Sequence, residues 1–372
     1  MNPKKLWIIT ELFPPDETST SYIMGEIANA MARKDAVGVI CGPEVYDKRK
    51  KIDAEHRFEL HEGIEVHRAE GVGLDKNTTF GKALSFLLMS KRMMSLVREY
   101  VRKGDKVLMV TNPAPMVPLM AWLKRRIGFE LNILVHDVFP ENTCPAGLKL
   151  PLYGMFKRFF DKAYSKADQL IALGRDMKDV LTRKVARYNQ NTKIVVIENW
   201  ADIINIRPKP FPEGKIVLEY AGNIGRVQGL EKVIDNLPDD IEFHLYGTGA
   251  MEERLKEKRH DNVFFHGPYF RSQQNEVLAA CDMAVVTLQE GMYGLGVPSK
   301  TYNILASGRP ILFFGPEDSE IDLLVRENNI GYCGWPDEWN RNHLEEMGRR
   351  ARVLAETKYS EKTILDKFLK II

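Results

Sequence analysis

Residues 215–237, KIVLEYAGNIGRVQGLEKVIDNL, place a strand, a tight turn and a helix in one short segment. The apolar, β-branched run KIVLEY is typical of a buried strand, and EKVIDNL has helical spacing. Between them, GNIGRVQG supplies the glycines that a strand-to-helix turn needs. This combination predicts a βα unit, from which parallel sheets are built.

The same unit recurs along all 372 residues. Short apolar runs alternate with helical segments, and the pattern restarts after residues 198–215. These contain three prolines and no periodicity, so we predict that they form the interdomain linker. We therefore predict an α/β fold with two doubly wound Rossmann-like domains facing a cleft, where ligands bind beyond the carboxyl ends of the strands. The predicted strands are 6–10, 37–41, 64–68, 106–110, 131–135, 168–173, 193–197, 215–220, 241–246, 262–266, 282–288, 310–314 and 331–333.

Composition indicates an ordinary globular protein, with 44% hydrophobic and 28% charged residues. The four cysteines lie far apart and form no C-x-x-C pair, which favours a reducing compartment and no zinc site. The first apolar run is too short for a signal peptide, and no run reaches the ~18 residues of a membrane span. We expect a cytoplasmic protein.

Charge is distributed unevenly between the two halves. Residues 1–200 carry 32 Lys+Arg against 24 Asp+Glu, whereas the remainder has a net charge of −6. Basic, apolar helical segments occur at 80–103, 123–126 and 153–166, and in the first of these Glu99 is opposed by Lys82, Lys91, Arg92, Arg98, Arg102 and Lys103. Such segments suit peripheral docking on an anionic membrane. The alternative is sheet-covering helices with solvated lysines. No nucleic acid partner is expected.

Residues 294–314, GLGVPSKTYNILASGRPILFF, place a lysine where a helix begins. The positive end of a helix dipole disfavours Lys300 unless an anion lies between them, so the pattern predicts a phosphate site. Ser299 is the candidate N-cap, and Gly308 suits the left-handed position after the helix. The alternative is a connecting helix whose lysine faces water.

Two further glycine turns follow strands. In GNIGRVQG, Gly222 and Gly225 allow a tight turn, and Arg226 is a candidate bidentate phosphate ligand, the alternative being a solvated arginine. The segment YGTGAMEE, 246–253, contains G-x-G, but Glu252 stands where a dinucleotide fingerprint has its third glycine. It is therefore a weak candidate for NAD binding.

Ionisable and hydroxyl side chains follow two strands of the first half. HDVFPEN, 136–142, brings His136, Asp137 and Glu141 to a predicted ligand edge, although a histidine at a strand end is often structural. FPPDETSTSY, 13–22, has four consecutive hydroxyl residues at a helix start, for most of which helix capping is favoured. D-x-D, H-E-x-x-H, G-x-S-x-G and P-loop motifs are missing, so we expect neither a bound metal nor a cofactor.

Six segments, in their order along the chain, resemble the motifs of family-4 glycosyltransferases: VIENWAD, YAGNIGRVQGLEKVI, YGTGAMEERL, NVFFHGPY, LAACDMAVVTL and VPSKTYNILASGRPIL. FPPD and HDVFPE are similar to the bacterial branch that builds surface polysaccharides and includes the N-acetylfucosaminyltransferases. The resemblance spans essentially the whole chain. It implies the glycosyltransferase-B (GT-B) fold and retaining transfer from a nucleotide sugar, with a UDP-sugar favoured, to a lipid-diphosphate-linked saccharide.

The resemblance also implies roles for the candidate residues. Lys300 and Arg226 would hold the donor diphosphate, and His136 would lie by the donor sugar. It implies domains over 1–200 (acceptor side) and 201–356 (nucleotide sugar), with 357–372 returning as a helix to the first. The donor-binding candidates are Gly222, Asn223, Gly225, Tyr246, Gly247, Gly296, Pro298, Ser299 and Asn303, and the acceptor-side candidates are Thr18, Ser19, Thr20, Asp137 and Glu141.

The sequence departs from the family pattern at several of these positions. Leu295 and Asn303 stand where many members carry two glutamates, and Asn223 and Gln228 replace a frequent Arg and Lys pair. Two alternatives therefore stay open: a nucleotide-sugar epimerase of the same fold and a non-catalytic nucleotide-sugar-binding subunit. A dehydrogenase is disfavoured by Glu252.

Overall fold

The computed structural model describes residues 4–16, 18–44, 58–71, 79–148, 150–258 and 261–372, which contain two parallel sheets. The first has the order β3-β2-β1-β4-β5-β6-β7 and the second β10-β9-β8-β11-β12-β13. The predicted α/β class with two doubly wound domains is confirmed. The strands are β1 Leu6–Thr10, β2 Val37–Cys41, β3 Glu65–Arg68, β4 Lys106–Val110, β5 Glu130–Val135, β6 Gln169–Ala172, β7 Lys193–Val196, β8 Ile216–Ala221, β9 Ile241–Tyr246, β10 Val263–Gly267, β11 Met283–Thr287, β12 Ile311–Phe314 and β13 Gly331–Cys333.

Helices cover both faces of each sheet, as parallel strands buried on two sides require. They pack on a core to which the central strands contribute nearly every side chain. The helices are α1 Ser19–Ala32, α2 Thr79–Tyr100, α3 Met116–Ile127, α4 Tyr153–Tyr164, α5 Arg175–Ala186, α6 Glu231–Ile234, α7 Glu252–Lys256, α8 Gln274–Ala279, α9 Lys300–Ala306, α10 Glu320–Asn328, α11 Arg341–Thr357 and α12 Glu361–Ile371.

Strand order reverses between β1 and β4 in one sheet and between β8 and β11 in the other. Ligand crevices of open α/β sheets form at such reversals, beyond the carboxyl ends of the strands. The turn after β9 approaches the turn after β8 so closely that a Cβ on Gly247 would lie 1.9 Å from the carbonyl oxygen of Gly222. Gly247 also has φ +128°, a conformation that only glycine adopts readily.

The two domains meet along the backbone of residues 294–296. The amide of Val138 donates to the carbonyl of Leu295 at 2.9 Å, and Asp137 and Gly296 form an antiparallel bridge. The amide of Gly294 donates to the carboxylate of Asp176 at 3.2 Å. The segment after β5 is thereby fixed against the segment that leads into α9.

The N-termini of α5 and α10 cap each other across this interface. The buried Asp176 carboxylate accepts from the amide of Glu320 at 3.1 Å, and the buried Glu320 carboxylate accepts from the amide of Arg175 at 2.6 Å. The Arg175 guanidinium also donates to Glu320 and to Glu327. Each carboxylate therefore satisfies a helix-end amide of the other domain.

The last helix returns to the N-terminal domain and packs on α1. Tyr22 donates its hydroxyl to Glu361 at 3.1 Å, and Lys367 pairs with Glu198 at 2.6 Å. The carbonyl of Tyr359 accepts from the amide of Ala201 at 2.8 Å. A helix from the far end of the chain thus packs on a helix of the N-terminal domain.

Replacing Asp176 by alanine leaves the buried amides of Gly294 and Glu320 without their acceptor. We expect Asp176→Ala to lower the free energy of unfolding by about 2–3 kcal/mol, measured by urea denaturation. Asp179→Ala is the matched control, because Asp179 is an exposed residue of the same helix that pairs with Arg183 at the surface. Equal destabilisation by the two substitutions would contradict the role given to the interdomain caps.

Candidate active site

A cleft of about 420 Å³ lies between the domains at the carboxyl ends of both sheets. It gathers most of the residues that the sequence singled out, from four separate segments of the chain. The predicted site residues that line it are Ser19, Thr20, His136, Asp137, Gly222, Asn223, Gly296, Pro298, Ser299, Lys300 and Asn303.

Lys300 occupies a poorly solvated corner of the cleft. Its ammonium lies 3.2 Å from the centroid of the Tyr220 ring and 3.3 Å from the carbonyl oxygen of Val285. Burial lowers the pKa of Lys300 to about 7, and the nearby Glu219 partly opposes this shift. An anion that enters this corner meets a cation at low local dielectric, where charge attraction is strong.

Glu219 is the buried carboxyl group on the β8 side of this corner. Burial raises its pKa to about 8, while Lys300 acts in the opposite direction. Its nearest described donor is the thiol of Cys281, with Sγ 3.7 Å from Oε2. The corner therefore holds a lysine and a glutamic acid whose neutral forms are both favoured by burial.

His136 faces Lys300's segment from the other domain. Its amide donates to the hydroxyl of Thr111 at 3.2 Å, and its Nδ1 lies 3.5 Å from the hydroxyl of Thr20. Nε2 is buried and has no hydrogen-bond partner among the described residues. Burial lowers the pKa of His136 to about 4, so the ring is neutral at physiological pH and can exchange one hydrogen bond with a ligand hydroxyl.

Four predicted site residues lie outside the cleft for local reasons. Thr18 caps α1, because its hydroxyl accepts from the amide of Ser21 at 3.3 Å. Helix capping is the role predicted for most hydroxyl residues of this segment. Glu141 turns away and accepts from the buried ammonium of Lys184 at 2.7 Å. The other two are Tyr246, which stacks on His266, and Gly247, which packs against Gly222.

The turn after β8 does not bring all of its predicted donor-binding residues to the cleft. Gly225 is buried within the turn, and the Arg226 side chain lines a second cavity rather than the cleft. Ser299 is the N-cap residue of α9, as predicted, but its backbone is helical and its hydroxyl does not make the expected capping hydrogen bond. Gly308 follows α9 with φ +68°, which confirms the left-handed position predicted for it.

Several cleft residues were missed by sequence reasoning. Arg271 lies 3.5 Å above the Tyr22 ring, with Nη2 3.4 Å from Asp202. It follows β10, so a search for cations beyond predicted strand ends would have found it. Asn199, Trp200 and Asp202 also line the cleft, although 198–215 was predicted to be only a linker.

Asn303 is held by the same linker segment. Its side-chain carbonyl accepts from the amide of Asp202 at 3.0 Å, and its amide lies 3.4 Å from the Gln274 carbonyl oxygen. The first of these bonds fixes the linker against α9. Asn303 therefore lines the cleft with its side-chain polar groups already engaged.

Two Rossmann-like domains with their strand ends around a shared cleft define the GT-B class of glycosyltransferases. A family model described as Glycosyl transferases group 1 matches residues 219–331. The probable glycosyltransferase WbjE of Pseudomonas aeruginosa is 30% identical, over 98% of this chain and 96% of its own. The chain belongs to the group 1 glycosyltransferase family.

One further protein is similar in sequence, and another is similar in fold. The putative colanic acid biosynthesis glycosyl transferase WcaI of Escherichia coli K12 is 28% identical over 63% of each chain. The crystal structure of Anabaena Alr3699/HepE in complex with UDP superposes with a TM-score of 0.67 over 98% of each chain, at 15% identity. At that identity the second similarity concerns the fold alone.

The environment of His136 predicts an unusual titration. We expect its imidazole to titrate near pH 4, because burial disfavours the charged ring, whereas an ordinary histidine titrates at about 6.5. Imidazole ¹⁵N NMR spectra between pH 3.5 and 8 measure this, and the spectrum of His136→Asn assigns the signal. A midpoint near 6.5 would show that the ring is solvated.

Proposed function

We propose that the protein transfers a sugar from a UDP-sugar to a lipid-linked saccharide in bacterial surface polysaccharide synthesis, with retention of anomeric configuration. The observation that carries this proposal is Lys300, a desolvated lysine in the cleft of a glycosyltransferase fold. The complex of HepE with UDP and the assignment of WcaI to colanic acid biosynthesis support the donor and the pathway class.

The cleft places positive side chains where they can stabilise a departing diphosphate. As the bond between the donor sugar and the diphosphate breaks, negative charge builds on the leaving phosphate, and protonated Lys300 stabilises it. Arg271 provides a second cation on the same cleft. The acceptor hydroxyl forms the new glycosidic bond on the same face of the sugar and gives its proton to the leaving phosphate. His136, neutral, orients a donor hydroxyl.

The proposed reaction requires neither a protein nucleophile nor a metal. A retaining displacement on one face uses the leaving phosphate as the base. Lys300 and Arg271 supply positive charge at the diphosphate in place of a metal ion. This is in keeping with the missing D-x-D motif in the sequence. We propose a cytoplasmic enzyme, acting where nucleotide sugars are available.

A non-catalytic nucleotide-sugar-binding subunit is the second candidate. It is favoured by the two positions where family members carry glutamates, since Leu295 is buried and Asn303 is engaged with the linker. Both candidates bind UDP, so turnover separates them. UDP release from UDP-sugars in the presence of lipid-linked saccharides identifies a transferase, and binding without release identifies the subunit.

Lys300→Ala removes the charge-assisted contact to the donor diphosphate. Such contacts contribute ~1.5–3 kcal/mol, so we expect a roughly tenfold to hundredfold loss of UDP affinity by calorimetry. Lys178→Ala, which changes an exposed lysine of α5, should leave affinity unchanged. GDP and NAD serve as competing ligands, and preferential NAD binding would overturn the transferase proposal.

Lys300 also predicts proton uptake on UDP binding. Because the pKa of Lys300 is about 7, the side chain is largely neutral at pH 8, and the diphosphate draws a proton onto it. Calorimetry at pH 8 in buffers of different ionisation enthalpy measures this uptake. We expect it to vanish in Lys300→Ala. Uptake that persists in that variant would assign the proton to another group.

An apolar and basic surface on the N-terminal domain supports peripheral membrane association. On α4 and its N-cap, the side chains of Leu152, Met155 and Phe159 are 69%, 60% and 57% exposed, and Arg158 and Lys162 lie exposed among them. Helix α3, with half-exposed Trp122, packs beside α4. No helix in the described ranges is long and apolar enough to cross a membrane. Surface attachment through this face, the α4 surface, is therefore the proposed mode.

Polar replacements on the α4 surface test this attachment. Burying such a side chain in lipid contributes ~1.5–3 kcal/mol, so Met155→Ser with Phe159→Ser should lower the vesicle-bound fraction at least tenfold. Flotation with phosphatidylglycerol vesicles at low salt measures it. Val353→Ser on α11, where the side chain is 57% exposed, is the control. Equal flotation of the double variant and the control would rule out the α4 surface.

A further inference from the structure

A second cavity of about 1160 Å³ adjoins the cleft. It lies beyond the carboxyl ends of β8, β11, β12 and β13 and is bordered by residues 145–147 of the N-terminal domain. Gln228 and Leu288 line both spaces. A ligand in the second cavity therefore extends directly towards the reacting groups of the cleft.

The cavity joins an apolar lining to a charged rim. Met251, Leu288, Phe313 and Phe314 contribute apolar surface. Around them, three cations are matched by carboxylates, in the pairs Lys232–Glu290, Arg254–Glu231 and Arg326–Asp322. A balanced rim of this kind does not favour a polyanion. It offers many hydrogen-bond donors and acceptors to a neutral, hydroxyl-rich ligand.

Among the described residues of this rim, Arg226 is the cation that no carboxylate matches. Its side chain is exposed and has no ion-pair or hydrogen-bond partner among the described residues, in contrast to the three paired cations. A guanidinium offers five donors in a planar fork, which suits adjacent hydroxyl groups or a sugar carboxylate. Arg226 is thus available to a ligand in the second cavity.

The size and position of the cavity indicate what that ligand is. The volume exceeds the ~300–1,000 Å³ of pockets for small, drug-sized molecules, so it has room for several sugar rings. The bordering residues 145–147 continue towards Leu148 and Leu152, which are exposed beside the α4 surface. A saccharide in the cavity would therefore lie between a membrane-anchored end and the cleft.

We propose that the second cavity binds the oligosaccharide part of the acceptor and that Arg226 is an acceptor-binding residue rather than a diphosphate ligand. This inference rests on the proposed function as a glycosyltransferase. The sugar that receives the new bond lies in the cleft, and the preceding sugars occupy the cavity with apolar faces towards Leu288 and Phe314 and hydroxyl edges towards the rim.

Two methionines allow the two sites to be observed separately. Met292 lines the cleft and Met251 lines the second cavity. In protein labelled with ¹³C-methyl methionine, UDP should shift the Met292 signal. Di- and trisaccharides of glucose, galactose, N-acetylglucosamine and galacturonate, added at millimolar concentration to the UDP complex, should shift Met251. Met251→Leu and Met292→Leu spectra assign the two signals.

Arg226→Ala tests the role of the guanidinium, and Arg187→Ala, which changes an exposed arginine of the N-terminal domain, is the control. We expect Arg226→Ala to weaken saccharide binding about tenfold and to leave UDP affinity unchanged. Weaker UDP binding with unaltered saccharide binding would overturn the inference and return Arg226 to the diphosphate. No Met251 shift with any saccharide would also overturn it. Failure of UDP to shift Met292 would instead contradict the proposed function.

Discussion

The backbone of residues 294–296 is the contact on which the architecture depends. Its amides and carbonyls bind Asp176, Val138 and Asp137 of the other domain within three residues. Backbone groups satisfied in this way cannot move independently without leaving buried donors unpaired. The start of α9 and the segment after β5 are consequently placed opposite each other, and the cleft is the space that remains between them.

The pKa values of the ionisable groups in the cleft follow from their burial rather than from a high density of charge. Lys300 and His136 both tend towards their neutral forms because burial disfavours the charged ones. An anion beside Lys300 would favour its charged form, whereas the neutral imidazole can still exchange a hydrogen bond. Anion binding and protonation are therefore coupled at Lys300.

The sequence predicted the fold far better than it predicted side-chain directions. All thirteen strands lie within one residue of their predicted bounds, because each is an apolar run between turn residues. Arg226 and Glu141 show why the site was harder. Both follow strands at the correct edge, but one is turned outward by the path after Gly225 and the other is held by Lys184, which is distant in sequence. Arg271 follows a strand as well and could have been found by its position, whereas Asp202 reaches the cleft from a segment without periodicity, through packing against α9.

The return of α12 to α1 has a consequence for biosynthesis. The N-terminal sheet is finished once residue 196 has been made, yet the helix that covers α1 ends at residue 371. The first domain therefore lacks α12 while the second domain is translated and folds. The domain that is encoded first is therefore completed last. A fragment that ends at the linker would leave an apolar face of α1 without its partner.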